Sequence, residues 1–398
     1  MSSPASQPVF PDEILEEIFL RLDAAADLAR ASAACTTFHR VVSARRFLRR
    51  FRSLHPPPFL GFLESDQPGP LDPADWPHRS APAAHALARA ADFSFTFVPS
   101  PTYSSWNVCD AQDGRVLLYR RSSDAAAFPD LVVCDPLHRR YVQLPTIPDD
   151  LAVSTGARGM PDFDPFFDPA SKEVKEEDLS FRVICDVQCP HKLVTFHFAS
   201  VTGKWRALMF SRVLSFATGD MALYCGMFER HYAHGCFYWT IYGSSMLVQD
   251  TLEMRLSRVE IPTVTYCQQK AVVEAGEGRL GLLALGDCML HLYSKTLQNI
   301  CTGAEEWHQD RTIPLPKLDS DWRIIGAAKG YVLLEAVPQD SSQSTSSPQE
   351  IPDPTQYFTL DLKTFLVERL SMSIQPICRN NRAHLYASYP PPLSLPSI

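Results

Sequence analysis

The sequence lacks an apolar run long enough to cross a membrane and lacks a recognisable secretory signal. No stretch of the 398 residues approaches the roughly 18 uninterrupted apolar residues of a transmembrane helix. The start, MSSPASQPVFPDE, has neither a basic n-region nor an apolar h-region. These absences argue against the membrane-spanning and secreted classes. We expect a cytoplasmic protein, a nuclear protein, or one found in both compartments.

Basic charge is also in short supply. Lysine and arginine number 37 against 45 aspartates and glutamates, which gives a formal net charge of -8. Only nine of the 37 are lysines, and the first is Lys172. A nucleic-acid-binding protein would instead present a basic surface. We therefore expect no nucleic-acid partner.

The chain has cysteines but lacks the spacing of a metal site or a disulfide framework. Eleven cysteines, an odd number, in a chain with no predicted signal favour reduced thiols. Cys185, Cys189 and His191 lie close together in CDVQCPH, but no second ligand pair follows at zinc-site spacing. The sequence predicts no bound metal.

Motifs that carry enzymatic chemistry are absent as well. There is no G-x-S-x-G elbow, no H-E-x-x-H pair and no P-loop. GEGRLG, residues 276–281, matches the glycine pattern of a dinucleotide site, but a strand follows it instead of the required helix. We interpret these glycines as a hairpin turn. The sequence predicts no catalytic residues and no cofactor, and an uncharacterised enzyme is the less favoured alternative.

What the sequence does contain begins with an amphipathic helix in FPDEILEEIFLRL, residues 10–22. Pro11 suits the first helical position, and Asp12 and Glu13 complement the positive end of the helix dipole. The apolar residues share one face of the helix, namely Ile14, Leu15, Ile18, Phe19 and Leu22.

Two further helices are predicted before residue 55. LARASAACTTFHRVV and ARRFLRRFRSL each place their apolar residues on one face, and His55 followed by three prolines ends the second of these segments. A unit this small, below about 60 residues, buries too little surface to be comfortably stable. Part of its apolar surface should therefore be covered by another protein or by the rest of the chain.

The remainder of the sequence is predicted to be a linker and an all-β domain. Residues 56–92 are rich in Pro, Ala, His and Asp and indicate a linker with one short helix in APAAHALARAA. From residue 93 onward, pairs of alternating strands recur, for example SFRVICDV with KLVTFHFAS. Five such units and a less regular one starting at FSFTFVPSP suggest four-stranded propeller blades, with a large β-sandwich as the alternative.

A polar insertion interrupts the last of these units. Residues 339–354 are rich in Ser, Gln and Pro and are predicted to be flexible. The predicted fold class is thus α+β and multidomain. It comprises a small three-helix domain at 8–55, a linker at 56–92, and a propeller-like domain of about six degenerate units at 93–398.

The N-terminal block resembles the F-box in residue type and spacing, and the order of the whole chain is similar to the F-box proteins of grasses and other plants. The resemblance rests on FPDEIL at 10–15, IFLRL at 18–22, DLAR at 27–30, Cys35, and FHR at 38–40. Phe10 stands where Leu is usual and Phe38 where Trp is common, and both substitutions keep a large apolar anchor.

The resemblance implies a substrate receptor of an SCF-type ubiquitin ligase. The F-box would bind a Skp-family adaptor and, through it, a cullin, while the β domain would bind an unknown target protein. The residues expected at or behind the adaptor interface are Phe10, Pro11, Ile14, Leu15, Ile18, Leu28 and Phe38. An interaction module that binds the adaptor without delivering a target for degradation is the alternative.

Overall fold

The computed structural model describes most of the chain. The described residues are 10–22, 25–55, 57–65, 69–100, 105–120, 128–155, 163–169, 179–189, 192–210, 230–240, 245–265, 268–276, 278–286, 288–297, 306–316, 319–328, 330–339, 353–377, 382–389, 391–394 and 396–398.

The N-terminal region folds into a bundle of four short helices instead of the three predicted. They are α1 (Asp12–Phe19), α2 (Ala25–Ala34), α3 (Thr36–Val42) and α4 (Arg45–Leu54). The predicted second helix divides at Cys35, whose backbone is extended and whose Sγ accepts a hydrogen bond from the Phe38 N–H at 3.5 Å. This bond caps the first turn of α3. The apolar faces of the helices meet in one core.

The β region forms a propeller of six sheets, which confirms the predicted propeller-like domain. Five sheets have four antiparallel strands in sequence order. The first two contain β3 (Asn107–Gln112), β4 (Arg115–Arg120), β5 (Asp130–Asp135) and β6 (Arg140–Gln143), then β7 (Phe163–Phe167), β8 (Arg182–Cys189), β9 (Lys192–Ala199) and β10 (Lys204–Phe210).

The next three blades repeat this plan. Blade three contains β11 (Arg230–Ala233), β12 (Cys236–Thr240), β13 (Ser245–Asp250) and β14 (Arg255–Glu260). Blade four contains β15 (Gln269–Glu274), β16 (Arg279–Gly286), β17 (Met289–Thr296) and β18 (His308–Pro314). Blade five contains β19 (Ser320–Ala328), β20 (Tyr331–Pro338), β21 (Thr355–Asp361) and β22 (Leu366–Ser373).

The sixth blade is built from two segments that are far apart in the sequence. It has three strands in the order β2 (Asp72–Pro73), β1 (Phe59–Glu64) and β23 (Ala383–Ala387). β1 and β23 run antiparallel, with Phe62 opposite Leu385. The first strands of the other blades and β23 lie innermost, where they contact one another around the axis. The ring of blades is therefore closed by strand pairing.

This closure differs from the sequence interpretation in two respects. Residues 59–64 are not a linker but a buried strand, while the short helix predicted in the same segment is present as α5 (Ala81–Ala90). The irregular unit predicted from residue 93 is a series of turns, whose Phe93, Phe95 and Val98 enter the core shared with β1. The composition of 56–92 does not reveal this strand, because its partner β23 lies near the other end of the chain.

The predicted flexible insertion at 339–354 falls, apart from residues 339, 353 and 354, outside the described residues.

The interface between the second and third blades contains a buried polar group. The Thr195 hydroxyl on β9 donates to Asp186 Oδ1 on β8 at 2.6 Å, and Gln249 Nε2 on β13 donates to Thr195 Oγ1 at 3.4 Å. Within the described part of the chain, Asp186 Oδ2 and Gln249 Oε1 have no hydrogen-bond partner. Burial raises the pKa of Asp186 to about 7, and nearby Asp164 adds to this increase while Thr195 and Arg230 oppose it.

Gly61 tests whether residues 59–64 are part of the propeller. A Cβ at this position would lie 2.2 Å from the Asp72 carbonyl oxygen, so Gly61→Ala should force β1 and β2 apart. The expected cost is more than about 2 kcal/mol, which lowers the melting temperature by at least about 5 °C. Gly69→Ala is the control, because no described atom lies within 4 Å of its Cβ position. Equal melting temperatures for the two variants would contradict the blade assignment.

Asp186 should make stability depend on pH. Its pKa is higher in the folded chain than the ordinary carboxyl value, so the unfolded state releases this proton first as the pH rises. The stability that Asp186 contributes is thus complete below about pH 4 and is lost as the pH rises through about 7. Between pH 5 and pH 8, the free energy of unfolding measured in urea should fall by about 2 kcal/mol more for the wild type than for Asp186→Asn. Parallel pH profiles for the two proteins would show that Asp186 is already ionised at pH 5.

Candidate functional site

The first candidate site is an apolar face of α1 that points away from the bundle. Phe10 directly precedes the N-cap of α1, Pro11, while Ile14 and Ile18 lie four residues apart on one side of the helix. Their side chains are 53%, 47% and 47% exposed. Leu15 and Phe19 lie about 100° further around the helix and are buried in the bundle core. Large apolar side chains grouped on a surface in this way are typical of a protein-binding site.

The structure divides the seven residues predicted for adaptor binding into three groups. The exposed ones are Phe10, Pro11, Ile14 and Ile18. Leu15 and Leu28 are 4% and 0% exposed and lie in the core behind that face. Phe38 is half-buried, and its ring packs edge to face against Phe19 with 5.1 Å between the ring centroids. Helical periodicity could not separate the first group from the second, because both lie on the broad apolar side of the same bundle.

Ion pairs hold α1 against the neighbouring helices. Asp12 Oδ1 accepts a hydrogen bond from Arg40 Nη2 on α3 at 2.9 Å, and Glu17 pairs with Arg50 on α4 at 2.5 Å. All four side chains are largely exposed, so each pair contributes little to stability. Each pair links α1 to a neighbouring helix, α3 or α4, and so helps to orient the helix that carries the exposed apolar side chains.

The second candidate site is an ion cluster at the propeller axis. Arg230 on β11 contacts two carboxylates, Asp164 on β7 at 2.6 Å and Asp110 on β3 at 3.8 Å. Arg382, just before β23, lies 3.5 Å from Asp164. His384 on β23 lies 3.7 Å from Asp110 and hydrogen-bonds Ser65 Oγ at 2.8 Å. The cluster therefore joins four blades through their inner strands.

Both carboxylates of this axial cluster are charged. Burial alone would raise the pKa of Asp110, but the nearby His384 and the charge of Arg230 keep it below its ordinary value. The charges of Arg230 and Arg382 likewise hold the pKa of Asp164 below its ordinary value against the effect of burial. Single charged residues in short strands form no recognisable motif, so these residues could not be predicted from the sequence. Their arrangement stabilises the ring by balancing charge across blades.

Other groups that could carry chemistry are not arranged for it. Among the described residues, no group of three His, Cys, Asp or Glu side chains could hold a metal ion. Burial raises the pKa of the Cys109 and Cys185 thiols well above the ordinary value, which makes the thiolate rare.

The predicted hairpin turn in GEGRLG is confirmed, with β15 before it and β16 beginning at Arg279. No helix in the described part of the chain is long and apolar enough to cross a membrane.

Comparisons with known proteins bear mainly on the helices. The F-box-like family matches residues 9–53. No curated protein matches the chain. Among solved structures, the chain is similar to BBS1N in complex with ARL6DN, with 9% identity, coverage of 61% of this chain and 64% of that one, and a TM-score of 0.32. The tricorn protease matches at 12% identity over 69% of this chain and 27% of that chain, with a TM-score of 0.34.

A further similar structure is an uncharacterized protein from Listeria monocytogenes EGD-e. It matches at 8% identity over 68% of each chain, with a TM-score of 0.36. Similarities at this level carry no argument about function, and the propeller is assigned from its own strand order. The chain thus combines an F-box-like domain at residues 9–53 with a six-bladed β-propeller.

Proposed function

We propose that this protein is the substrate-recognition subunit of an SCF-type cullin-RING ubiquitin ligase. The F-box-like domain binds a Skp-family adaptor and, through it, the cullin, while the propeller holds a target protein. The observation that carries this proposal is the exposed apolar face of α1 within the F-box-like domain. The order of an F-box-like domain, a short connection and a propeller also supports placing the chain with the plant F-box proteins it resembles. Such a receptor acts in the cytoplasm or the nucleus.

The adaptor interface consists of Phe10, Pro11, Ile14 and Ile18, with Leu15 and Leu28 supporting it from the core. Phe10, Ile14 and Ile18 are about half exposed, so adaptor binding would bury their apolar surface. Each Å² removed from water contributes roughly 25 cal/mol to the free energy of binding.

In this role the protein does no bond chemistry. It holds the lysines of a bound target near a charged ubiquitin-conjugating enzyme, which raises their effective concentration at the thioester. Receptor function therefore depends on two binding surfaces and on the geometry between them.

The target binds at the end of the propeller away from the helices. β1 begins directly after the F-box-like domain, and the antiparallel β23 ends directly before residues that contact it, so the domain lies where the inner strands end. The axial cluster lies towards the opposite end, where β7 and β11 begin. There the Asp164 and Arg382 side chains are each about a third exposed, and they offer paired charges to a polypeptide.

Ile14→Asp combined with Ile18→Asp tests the adaptor interface. Both side chains are about half exposed, so the melting temperature should change by less than about 2 °C. A charge placed in an apolar interface is costly, and adaptor affinity in isothermal titration calorimetry should fall at least about 100-fold. The matched control is Val201→Asp with Leu252→Asp, which changes two exposed apolar residues of the propeller. Unchanged affinity in the α1 variant would contradict the proposal, whereas Leu15→Asp would unfold the bundle and test nothing.

The same α1 double variant tests whether the role is degradative. It keeps the propeller but cannot reach the cullin, so its overexpression in cells should protect the target and raise its abundance at least about twofold in quantitative proteomics. The wild-type chain should co-purify with cullin in the same cells. Adaptor binding without cullin, together with no protein rising in abundance, would favour a non-degradative interaction module.

A further inference from the structure

The residues that follow β23 contact both parts of the molecule. We call residues 388–398 the strap, of which 388–389, 391–394 and 396–398 are described. We infer that the strap completes the core of the F-box-like domain and fastens that domain to the propeller, so that the receptor is one rigid body with a fixed distance between its two ends. This inference concerns the chain alone and does not depend on the proposed ligase role.

The first anchor of the strap is inside the helical bundle. Leu393 is 1% exposed and lies in the same core as Leu28, Phe47 and Phe51. Tyr389 packs against the Phe51 ring with 6.4 Å between the centroids. Apolar side chains from the far end of the chain thus fill the interior of a domain that is too small to be comfortably stable alone.

Polar contacts fix this anchor at its edges. The Tyr389 hydroxyl donates to the His55 carbonyl oxygen at 2.6 Å, and His55 Nε2 lies 2.8 Å from the carbonyl oxygen of Leu20. The Arg52 guanidinium stacks over the Tyr389 ring at 5.0 Å and donates through Nη2 to the Leu393 carbonyl oxygen at 2.8 Å. The strap therefore contacts the C-terminal end of α4 in two ways. It accepts a hydrogen bond from the Arg52 side chain and stacks against it, and it donates to the backbone carbonyl of His55, the residue that follows the helix.

The second anchor lies on the first propeller blade. The Ser397 N–H donates to Asp135 Oδ2 at 2.8 Å, and Arg115 Nε donates to the Ser397 carbonyl oxygen at 2.8 Å. Ile398 packs against the core between the first and second blades. Asp135 is 2% exposed, so its hydrogen bond to Ser397 is partly shielded from water. With anchors at both ends, the strap resists movement of the helices relative to the blades.

The strap leaves the candidate adaptor surface open. Within the F-box-like domain its contacts run to α2 and α4 and to His55, whereas Phe10, Ile14 and Ile18 are exposed on and just before α1. The apolar surface that a bundle this small cannot bury by itself is therefore divided into two parts. The strap covers one side from within the chain, and the other side stays exposed.

Hydrogen exchange of the full-length protein, followed by mass spectrometry, tests the inference. Tyr389→Ala with Leu393→Ala removes the first anchor and should speed exchange across residues 12–54 at least about tenfold, while β20 exchanges at the wild-type rate. Tyr141→Ala with Leu252→Ala is the matched control, since both residues are exposed on the propeller. Should the first variant aggregate, Tyr389→Phe removes only the hydrogen bond to His55 and should give a smaller increase, about threefold.

A chain shortened to end at Pro396 separates coupling from local packing. It lacks the second anchor but keeps every side chain of the helical core, including Tyr389 and Leu393. If the strap couples the two parts, exchange across residues 12–54 should still rise at least about threefold. Wild-type exchange in the helices of both the shortened chain and the Tyr389 variants would overturn the inference.

Discussion

The antiparallel pairing of β1 with β23 is the interaction on which the other features of the molecule depend. The first and last blades of an open row would each leave one sheet face uncovered, and the sixth blade can form only when the two ends of the propeller sequence meet. The register of β1 requires Gly61, because β2 approaches its backbone too closely for any side chain. Closure by strand pairing therefore converts a row of sheets into one cooperative domain.

The same pairing sets the positions of both candidate surfaces. Since β1 and β23 are antiparallel, the chain leaves the helices for the propeller and returns to them at one end of the axis. At the axis, closure brings His384 to Asp110 and Arg382 to Asp164, which completes an ion cluster that no single blade could hold. The proposed adaptor surface and the proposed target surface would therefore lie towards opposite ends of the propeller axis.

Local pattern in the sequence was sufficient to predict much of this fold. The helical periodicity of 10–54 and the alternating strand pairs after residue 105 correspond to real elements, because each depends on contacts between near neighbours in the chain. The first strands of the blades were missed when they were short, as with the four-residue β11. The sixth blade was missed because β1 has no local partner, so the composition of 56–92 indicated only a linker.

The sequence predicts an apolar binding face on the first helix, but it does not predict which apolar residues of that helix are exposed. Ile14 and Leu15 are adjacent apolar residues of one helix, yet one is half exposed and the other is buried. Which of them faces the bundle depends on how α3, α4 and the strap pack around α1, and this packing is not encoded in the spacing of apolar residues alone. His231 shows the same limit, since its four-residue strand carries no recognisable pattern in the sequence. In the structure it is buried on β11, where burial and the charges of Arg382 and Arg230 lower its pKa to about 3.

We expect one side of the F-box-like domain to pack against the strap and the other side, at α1, to bind the adaptor. Hydrogen exchange of the full-length protein with and without a Skp-family adaptor measures this division directly. The adaptor should protect backbone amides of residues 10–20 at the outer face of α1, while those of residues 389–394 in the strap exchange at the same rate in the free and bound protein. Protection of the strap or of the propeller blades, with residues 10–20 unchanged, would contradict the account.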